Sequence, residues 1–169
     1  MTSVPTIRPA TPADADAIAS IYNEGIRGRG ATFETRERTA GDIAGWFGDP
    51  RHPVLVAEDG GAVLGWVAAS TYRPRDAYAG IAEFSVYVAS AARGRGVGDT
   101  LMAAFLPACE AAGLWKVLSR IFPENTASLR LCACHGFREV GVYRRHGRLD
   151  GAWRDVVIVE RLLGEALEG

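Results

Sequence analysis

Three short stretches of this chain carry residue types that could do chemistry. Two are copies of Arg-Gly-Arg-Gly, at Arg27–Gly30 and Arg93–Gly96, and the third is a lone carboxylate, Glu83, in the run IAEFSVYV. A basic, glycine-rich turn holds phosphate where successive backbone NH groups converge, as happens when a strand feeds a tight turn that opens a helix and adds its dipole. The second copy has that setting: it lies between the strand-like run ending at Val88 and a stretch in which Val97, Leu101, Phe105 and Cys109 recur at every fourth residue. The first copy follows a helical pattern, so its glycines suit the end of a helix and a turn of the chain. Glu83 shares the strand line of Ile81, Ser85 and Tyr87, opposite Ala82, Phe84, Val86 and Val88. From the residues alone it is either a solvated strand carboxylate or a base that takes a proton from a substrate.

What the second copy lacks narrows its ligand. No Gly-Lys-Ser/Thr follows, so the lysine and hydroxyl that serve a nucleoside triphosphate and its Mg²⁺ are missing. Asp99 stands where a dinucleotide fold needs its third small residue for helix and strand packing.

The elements that must position these residues alternate in type. Thr6 to Arg8 reads as a first strand, and Thr11-Pro12-Ala13-Asp14 as the N-cap, first-turn proline and acid of a helix ending near Gly28 in a left-handed conformation. A shorter helix starts at Thr39 and buries Ile43, Trp46 and Phe47. Val54–Glu58, Asp59-Gly60-Gly61 and Ala62–Thr71 read as a hairpin, followed by the strand Ile81–Val88 and a helix to about Ala112 with a bend at Pro107. Lys116–Ile121 alternates as a strand, Asn125–His135 reads as a capped helix, and two strands close the chain, with Val156–Val159 covered on both faces. The class is mixed α/β in one domain over residues 1–169, a length that buries roughly two thirds of the unfolded chain's surface.

Composition excludes several classes of partner. With 19 Lys and Arg against 20 Asp and Glu, the net charge of -1 supplies no long-range field toward nucleic acid or an anionic membrane, so any anion must be gripped locally. The N-terminal run has no apolar core and nowhere do 18 apolar residues run together, which predicts a cytoplasmic protein without a membrane span. Cys109, Cys132 and Cys134 suit reduced, buried thiols, and without a second ligand pair near Cys132–His135 no metal site is expected.

Arg93-Gly94-Arg95-Gly96-Val97-Gly98 resembles the R/Q-x-x-G-x-G/A loop of the GNAT acetyltransferases. The segments ATFET, YRPRDAY, AEFSVYV, FPENTASLRL and GAWRDV extend the resemblance over nearly the whole chain, toward the phosphinothricin and methionine sulfoximine N-acetyltransferase group and its arsinothricin N-acetyltransferase branch. The resemblance implies a GNAT fold: a mixed sheet of about 6–7 strands, with splayed central strands and about four helices. It also implies acetyl-CoA as cosubstrate, with backbone NH groups from Arg93 to Asp99 (Arg93, Gly94, Arg95, Gly96, Val97, Gly98, Asp99) on the pyrophosphate and both arginine side chains adding contacts. Val86, Tyr87 and Val88 would bond the pantetheine arm through their backbone, and Asn125 and Ser128 would face it, although Asn125 also suits a helix cap.

Under the same resemblance Glu83 is the general base of an enzyme that acetylates the α-amino group of a small glutamate-like toxic amino acid. A carboxylate of ordinary pKa taking a proton from an alkylammonium about six units higher faces an uphill step of about 8 kcal/mol, which apolar surroundings would narrow. Arg73, Arg75, Tyr78 and Phe33 would contact that substrate, two forked guanidiniums suiting a carboxylate plus a second acidic head. Cys132 stands where many relatives carry tyrosine or histidine, so no dedicated acid is expected there. His146, Trp153 and Asp155 fall in segments resembling the family's dimer and pocket edge, and a homodimer is implied. Two other readings stay open: acetylation of another metabolite amine or a peptide N-terminus, and a non-catalytic acyl-CoA-binding protein.

Overall fold

The change of hydrophobic period near Val54, from helical spacing to alternation, marks where the chain leaves its first two helices and enters the central strands of its sheet. The structure, a computed structural model, describes residues 3–169. Seven strands, β1 (Thr6–Pro9), β2 (Val54–Asp59), β3 (Ala62–Thr71), β4 (Ile81–Val88), β5 (Lys116–Ile121), β6 (Arg138–Leu149) and β7 (Ala152–Leu162), form one sheet in the order β1-β2-β3-β4-β5-β7-β6. All neighbours are antiparallel except β4 and β5. That one parallel pair requires a crossover helix, supplied by α3 (Val97–Ala111).

Local chemistry sets the element ends. Gly60 and Gly61, with φ of 58° and 83°, give the β2–β3 hairpin the two positive φ values of a primed turn. The Asp14 carboxylate accepts the Thr11 NH at 2.8 Å, and Pro12–Asp14 form a 3₁₀ turn from which α1 (Ala15–Gly28) continues. At α2 (Ala40–Ala44) the Asp42 carboxylate accepts the Thr39 NH at 2.8 Å while the Thr39 hydroxyl accepts the Asp42 NH at 3.3 Å.

The two faces of the sheet carry separate cores. On one, Ile18, Ile21 and Ile43 of α1 and α2 pack over Val54, Val56 and the fully buried Trp66. On the other, Leu101, Met102 and Phe105 of α3 and Cys132 of α4 (Thr126–Cys134) cover Val67, Phe84, Val117, Val157 and Val159. β4 therefore sends Ala82 and Phe84 to the α3 side, while Tyr87 stacks at 5.0 Å on Tyr22 of α1. Glu83, two pairs of residues before Tyr87 on the same strand line, projects to the α1 side by strand alternation.

Three expectations change. The left-handed residue at the end of α1 is Arg29 (φ 58°), with Gly28 still helical; the Arg29 guanidinium donates to the Ile26 carbonyl at 3.0 Å, offsetting part of the cost of a side chain there, and also meets the exposed Asp150 at 3.1 Å. Cys134 is exposed, whereas Cys109 and Cys132 are buried. The closing strands are longer than their apolar runs, because β6 and β7 pair from Arg138 opposite Glu160 to Leu149 opposite Ala152 across register shifts between Glu139 and Gly141 and between Tyr143 and Gly147.

Candidate active site

The site begins where two central strands part. β4 and β5 pair over only three residues, Ile81 with Lys116, Ala82 with Val117 and Glu83 with Leu118. Beyond this, β4 is held by β3 alone, from Phe84 opposite Ala69 to Val88 opposite Gly65. β5 is held by β7 alone, from Ser119 opposite Val159 to Ile121 opposite Val157. The Ser119 hydroxyl donates to the Phe84 carbonyl at 3.0 Å, satisfying a backbone acceptor at the point where the ladder stops.

A cleft of about 570 Å³ opens from this gap. One wall is Val86, Tyr87 and Val88; the far end is Arg93, Gly94, Gly96, Val97 and Gly98; Asn125 and Ser128 close it from the start of α4. A recess of about 50 Å³ shares Ala31, Val86, Tyr87, Asn125 and Ser128 with the cleft and continues to Ser85, Ser119, Arg120 and Cys132.

At the turn, Gly94 and Gly96 have φ of 76° and 75°, a region L side chains rarely enter, and both face open space. Gly96 directly precedes α3, whose first backbone NH groups have no partner within the helix. The turn thus presents unpaired donors and a helix dipole to one end of the cleft. The arginines divide: Arg93 lines the cleft, while Arg95 turns away to pair with Asp59 of the hairpin turn at 3.0 Å. Asp99 also points elsewhere, its carboxylate 2.7 Å from His135 Nε2. Glu24 of α1 lines the cleft and accepts the Ser90 NH at 2.7 Å. That NH, helped less by the Ser90 hydroxyl, Arg93 and Arg27, holds the Glu24 carboxyl below its usual range.

Glu83 is about a quarter exposed, at 26%, and accepts a hydrogen bond from the Arg120 guanidinium on β5. The apolar surroundings expected for it are replaced on that side by a cation. Asn125 Oδ1 accepts the Ser128 NH at 3.3 Å, so the asparagine both caps α4 and lines the cleft. Burial pushes the Cys132 thiol up to about 11, leaving it protonated at neutral pH beside the recess, and pushes the Tyr87 phenol well above its ordinary value.

Residues 17–137 match the model of the Acetyltransferase (GNAT) family. The chain belongs to that family. It is 36% identical to a phosphinothricin N-acetyltransferase of Streptomyces coelicolor, over 93% of this chain and 95% of the relative. It is 34% identical to an L-methionine sulfoximine/L-methionine sulfone acetyltransferase of Pseudomonas aeruginosa, over 92% of each. A crystal structure of a GNAT superfamily phosphinothricin acetyltransferase from Sinorhizobium meliloti in complex with AcCoA superposes with a TM-score of 0.91 at 32% identity, over 99% of this chain and 92% of that one. The mixed seven-stranded sheet and the early parting of β4 and β5 are the GNAT fold that the motif implied.

Of the residues singled out in this GNAT chain, Val86, Tyr87, Val88, Arg93, Gly94, Gly96, Val97, Gly98, Asn125 and Ser128 come together along one cleft. The candidate substrate residues do not form one cluster. Phe33 packs edge-on against Phe122 at 4.9 Å, beside Leu149 and Val156. Arg73, Arg75 and Tyr78 lie on the segment between β3 and β4; both arginines are exposed, and Arg73 sits 5.2 Å from the ring centre of Tyr72, itself edge-on to Tyr78 at 5.7 Å. Trp153 lies under the Arg148 guanidinium at 4.2 Å, His146 stacks on Tyr143 at 4.7 Å, and Asp155 accepts the Arg145 NH at 2.7 Å.

Three features escaped the sequence reading: Arg120, Glu24, and the presence of Gly28 and Gly30 on the cleft wall. Arg120 does carry a local signal, as a second charge on the strand line of Lys116 and Leu118. That it meets Glu83 depends on where the β4–β5 ladder ends. Among the described residues no group of three His, Cys, Asp or Glu could hold a metal, and no helix is long and apolar enough to cross a membrane.

Proposed function

We propose that this N-acetyltransferase moves the acetyl group of acetyl-CoA onto the α-amino group of a small glutamate-like amino acid, of the phosphinothricin, methionine sulfoximine, methionine sulfone or arsinothricin type. The observation that carries this reading is the parting of β4 and β5 directly after Glu83, with a continuous cleft from that point to the glycine turn at Gly94 and Gly96. The residues fit the cosubstrate: a turn with two glycines at positive φ and unpaired helix NH groups suits a pyrophosphate, and the unpaired β4 edge suits an amide-bearing arm. Arg93, Gly94, Gly96, Val97 and Gly98 hold the phosphates together with the backbone of Arg95 and Asp99, and Val86, Tyr87, Val88, Asn125 and Ser128 hold the arm.

Glu83 accepts the proton that the substrate ammonium must lose before its nitrogen can attack, directly or through water. The Val86 NH on the open edge stabilises the negative charge that develops on the acetyl oxygen. The departing thiolate, with a pKa near 8.5, requires little help from an acid, consistent with Cys132 at that side of the recess. Arg73 and Arg75 bind the substrate's acidic groups, and Phe33 and Tyr78 line its pocket. β6 leaves Val140, Val142 and Tyr143 exposed and β7 leaves Trp153 exposed, apolar area that supports the homodimer the resemblance implies. Free thiols at Cys109, Cys132 and Cys134 fit a cytoplasmic location.

The decisive measurement is thiol release from acetyl-CoA with those four amino acids, glutamate and a peptide, using wild type and Glu83→Gln. The substitution should leave KM for acetyl-CoA unchanged and lower kcat by about 100-fold or more. A near wild-type kcat removes Glu83 from the mechanism. Turnover of the peptide alone would favour N-terminal acetylation, and no turnover at all would favour an acyl-CoA-binding role.

A further inference from the structure

The ion pair between Glu83 and Arg120 stands at the mouth of the gap, and its geometry is not that of a pair built for stability. β5 sends Val117 and Ile121 into the core on the α3 side. Lys116, Leu118 and Arg120 therefore project to the α1 side, where Glu83 projects. Glu83 lies beside Leu118, the last paired residue, so Arg120, two positions on, reaches back across the opening to bond it. The guanidinium is 50% exposed and the carboxylate 26%. A pair this exposed contributes little to folding.

Arg120 also has donors to spare. A guanidinium carries five NH groups in a planar fork, and among the described residues Glu83 is its one recorded partner. Arg120 is also one of the residues that line the recess, with Ser85 and Ser119. On the opposite flank of Glu83, Arg73 and Arg75 follow Thr71, which pairs with Ala82. Glu83 thus lies between β5, which carries Arg120, and β3, whose end leads into the loop of Arg73 and Arg75.

Resting on the acetyl-transfer reading above, we infer that Arg120 selects the substrate by exchanging Glu83 for an anionic group of the bound amino acid. When the substrate anion takes the fork, Glu83 Oε1 is left to accept a proton: an N–H bond of the ammonium breaks, its electron pair stays on nitrogen, and the proton moves to Oε1. Arg120 keeps all its protons. An amine without an anion leaves Arg120 on the oxygen that this step uses. The acid requirement and the base are coupled through one side chain, in addition to any binding by Arg73 and Arg75.

The test compares wild type, Arg120→Met and Arg120→Lys by thiol release on a phosphinate-headed amino acid and an alkylamine of similar length that carries no acidic group. Arg120→Met should lower kcat/KM for the acidic substrate about 10- to 100-fold, the scale of a lost charged hydrogen bond. For the alkylamine kcat/KM should hold or rise, so discrimination between the two collapses. Arg120→Lys, keeping charge without the fork, should fall between. Equal losses on both substrates would make Arg120 a positioning residue for Glu83 and overturn the inference, as would no loss on either. If wild type acetylates no amino acid, the acetyl-transfer reading fails first; if it does and discrimination survives in the variants, this inference alone fails. KM for acetyl-CoA and the thermal midpoint report folding, and Arg120→Lys decides the matter if Arg120→Met is unstable.

Discussion

The two copies of Arg-Gly-Arg-Gly line the same cleft and have opposite backbones. In the first, Arg29 is left-handed (φ 58°), while Gly28 is the last residue of α1. In the second, Gly94 and Gly96 are left-handed (φ 76° and 75°). The side chains follow suit. Arg27 pairs with Glu37 at 2.5 Å and Arg29 with Asp150 at 3.1 Å, so the first copy spends its charges on the protein itself. In the second, Arg95 is spent on Asp59, while Arg93 stays on the cleft wall. What differs is the element on either side. A chain leaving a helix has to satisfy that helix's last carbonyls, and Arg29 does so through its NH and its guanidinium to Ile26. A chain entering a helix leaves its NH groups unpaired, and only there does a glycine turn become an anion site.

Substitutions can break this contrast. Gly96→Val forces a β-branched side chain into a positive φ at the head of α3, a strain of about 1–3 kcal/mol. KM for acetyl-CoA should rise about tenfold or more, with a lower thermal midpoint; an unchanged KM would show that the turn does not grip the cosubstrate.

Arg93→Ala should raise the same KM by several-fold, a charge-assisted contact of about 1.5–3 kcal/mol being the upper limit. Arg95→Ala, which removes a pair with Asp59, should alter it by less than about twofold. Equal effects would mean that Arg95 leaves Asp59 to bind phosphate.

Between the copies stands Glu24, whose carboxyl is held below its ordinary value chiefly by the Ser90 NH. A depressed carboxyl stabilises the fold above its unfolded value and loses that contribution as pH falls through its folded value. The difference in thermal midpoint between wild type and Glu24→Gln should therefore be constant near neutrality and shrink below about pH 4.5. A difference independent of pH would exclude the Ser90 bond as its cause.

The smallest effect belongs to the first copy. Gly28 is helical and a Cβ there meets nothing within 4 Å. Gly28→Ala should raise stability by up to about 1 kcal/mol and leave KM for acetyl-CoA within about twofold. If KM instead rises as far as in Gly96→Val, both copies grip the cosubstrate and the contrast is lost.

Much of the fold was readable from local pattern. The strands from Val54 to Val88, the Thr39 cap and the glycine turn before Val97 follow from alternation, capping residues and φ preference, which act over a few neighbours. The end of α1 was misread because Gly28 looks like a left-handed cap, whereas the helix runs through Gly28 and turns left-handed at Arg29, whose NH and guanidinium both reach back to the Ile26 carbonyl. Cys134 was read as buried from composition, but which face of a short helix points inward is settled by what packs on it. The pair between Arg95 and Asp59 was not legible either, because nothing local reveals that Asp59 stands beside Arg95.

By itself the sequence determined the order and type of the elements, the turn able to take two positive φ values, and the strand that carries Glu83, since each depends on interactions within one or two turns of chain. Only the tertiary structure decided where β4 and β5 part, that Arg120 faces Glu83, and that two identical tetrapeptides share one cleft while offering it different groups. Those outcomes depend on register and on charges brought together from distant positions, and no short stretch of residues encodes its own partners.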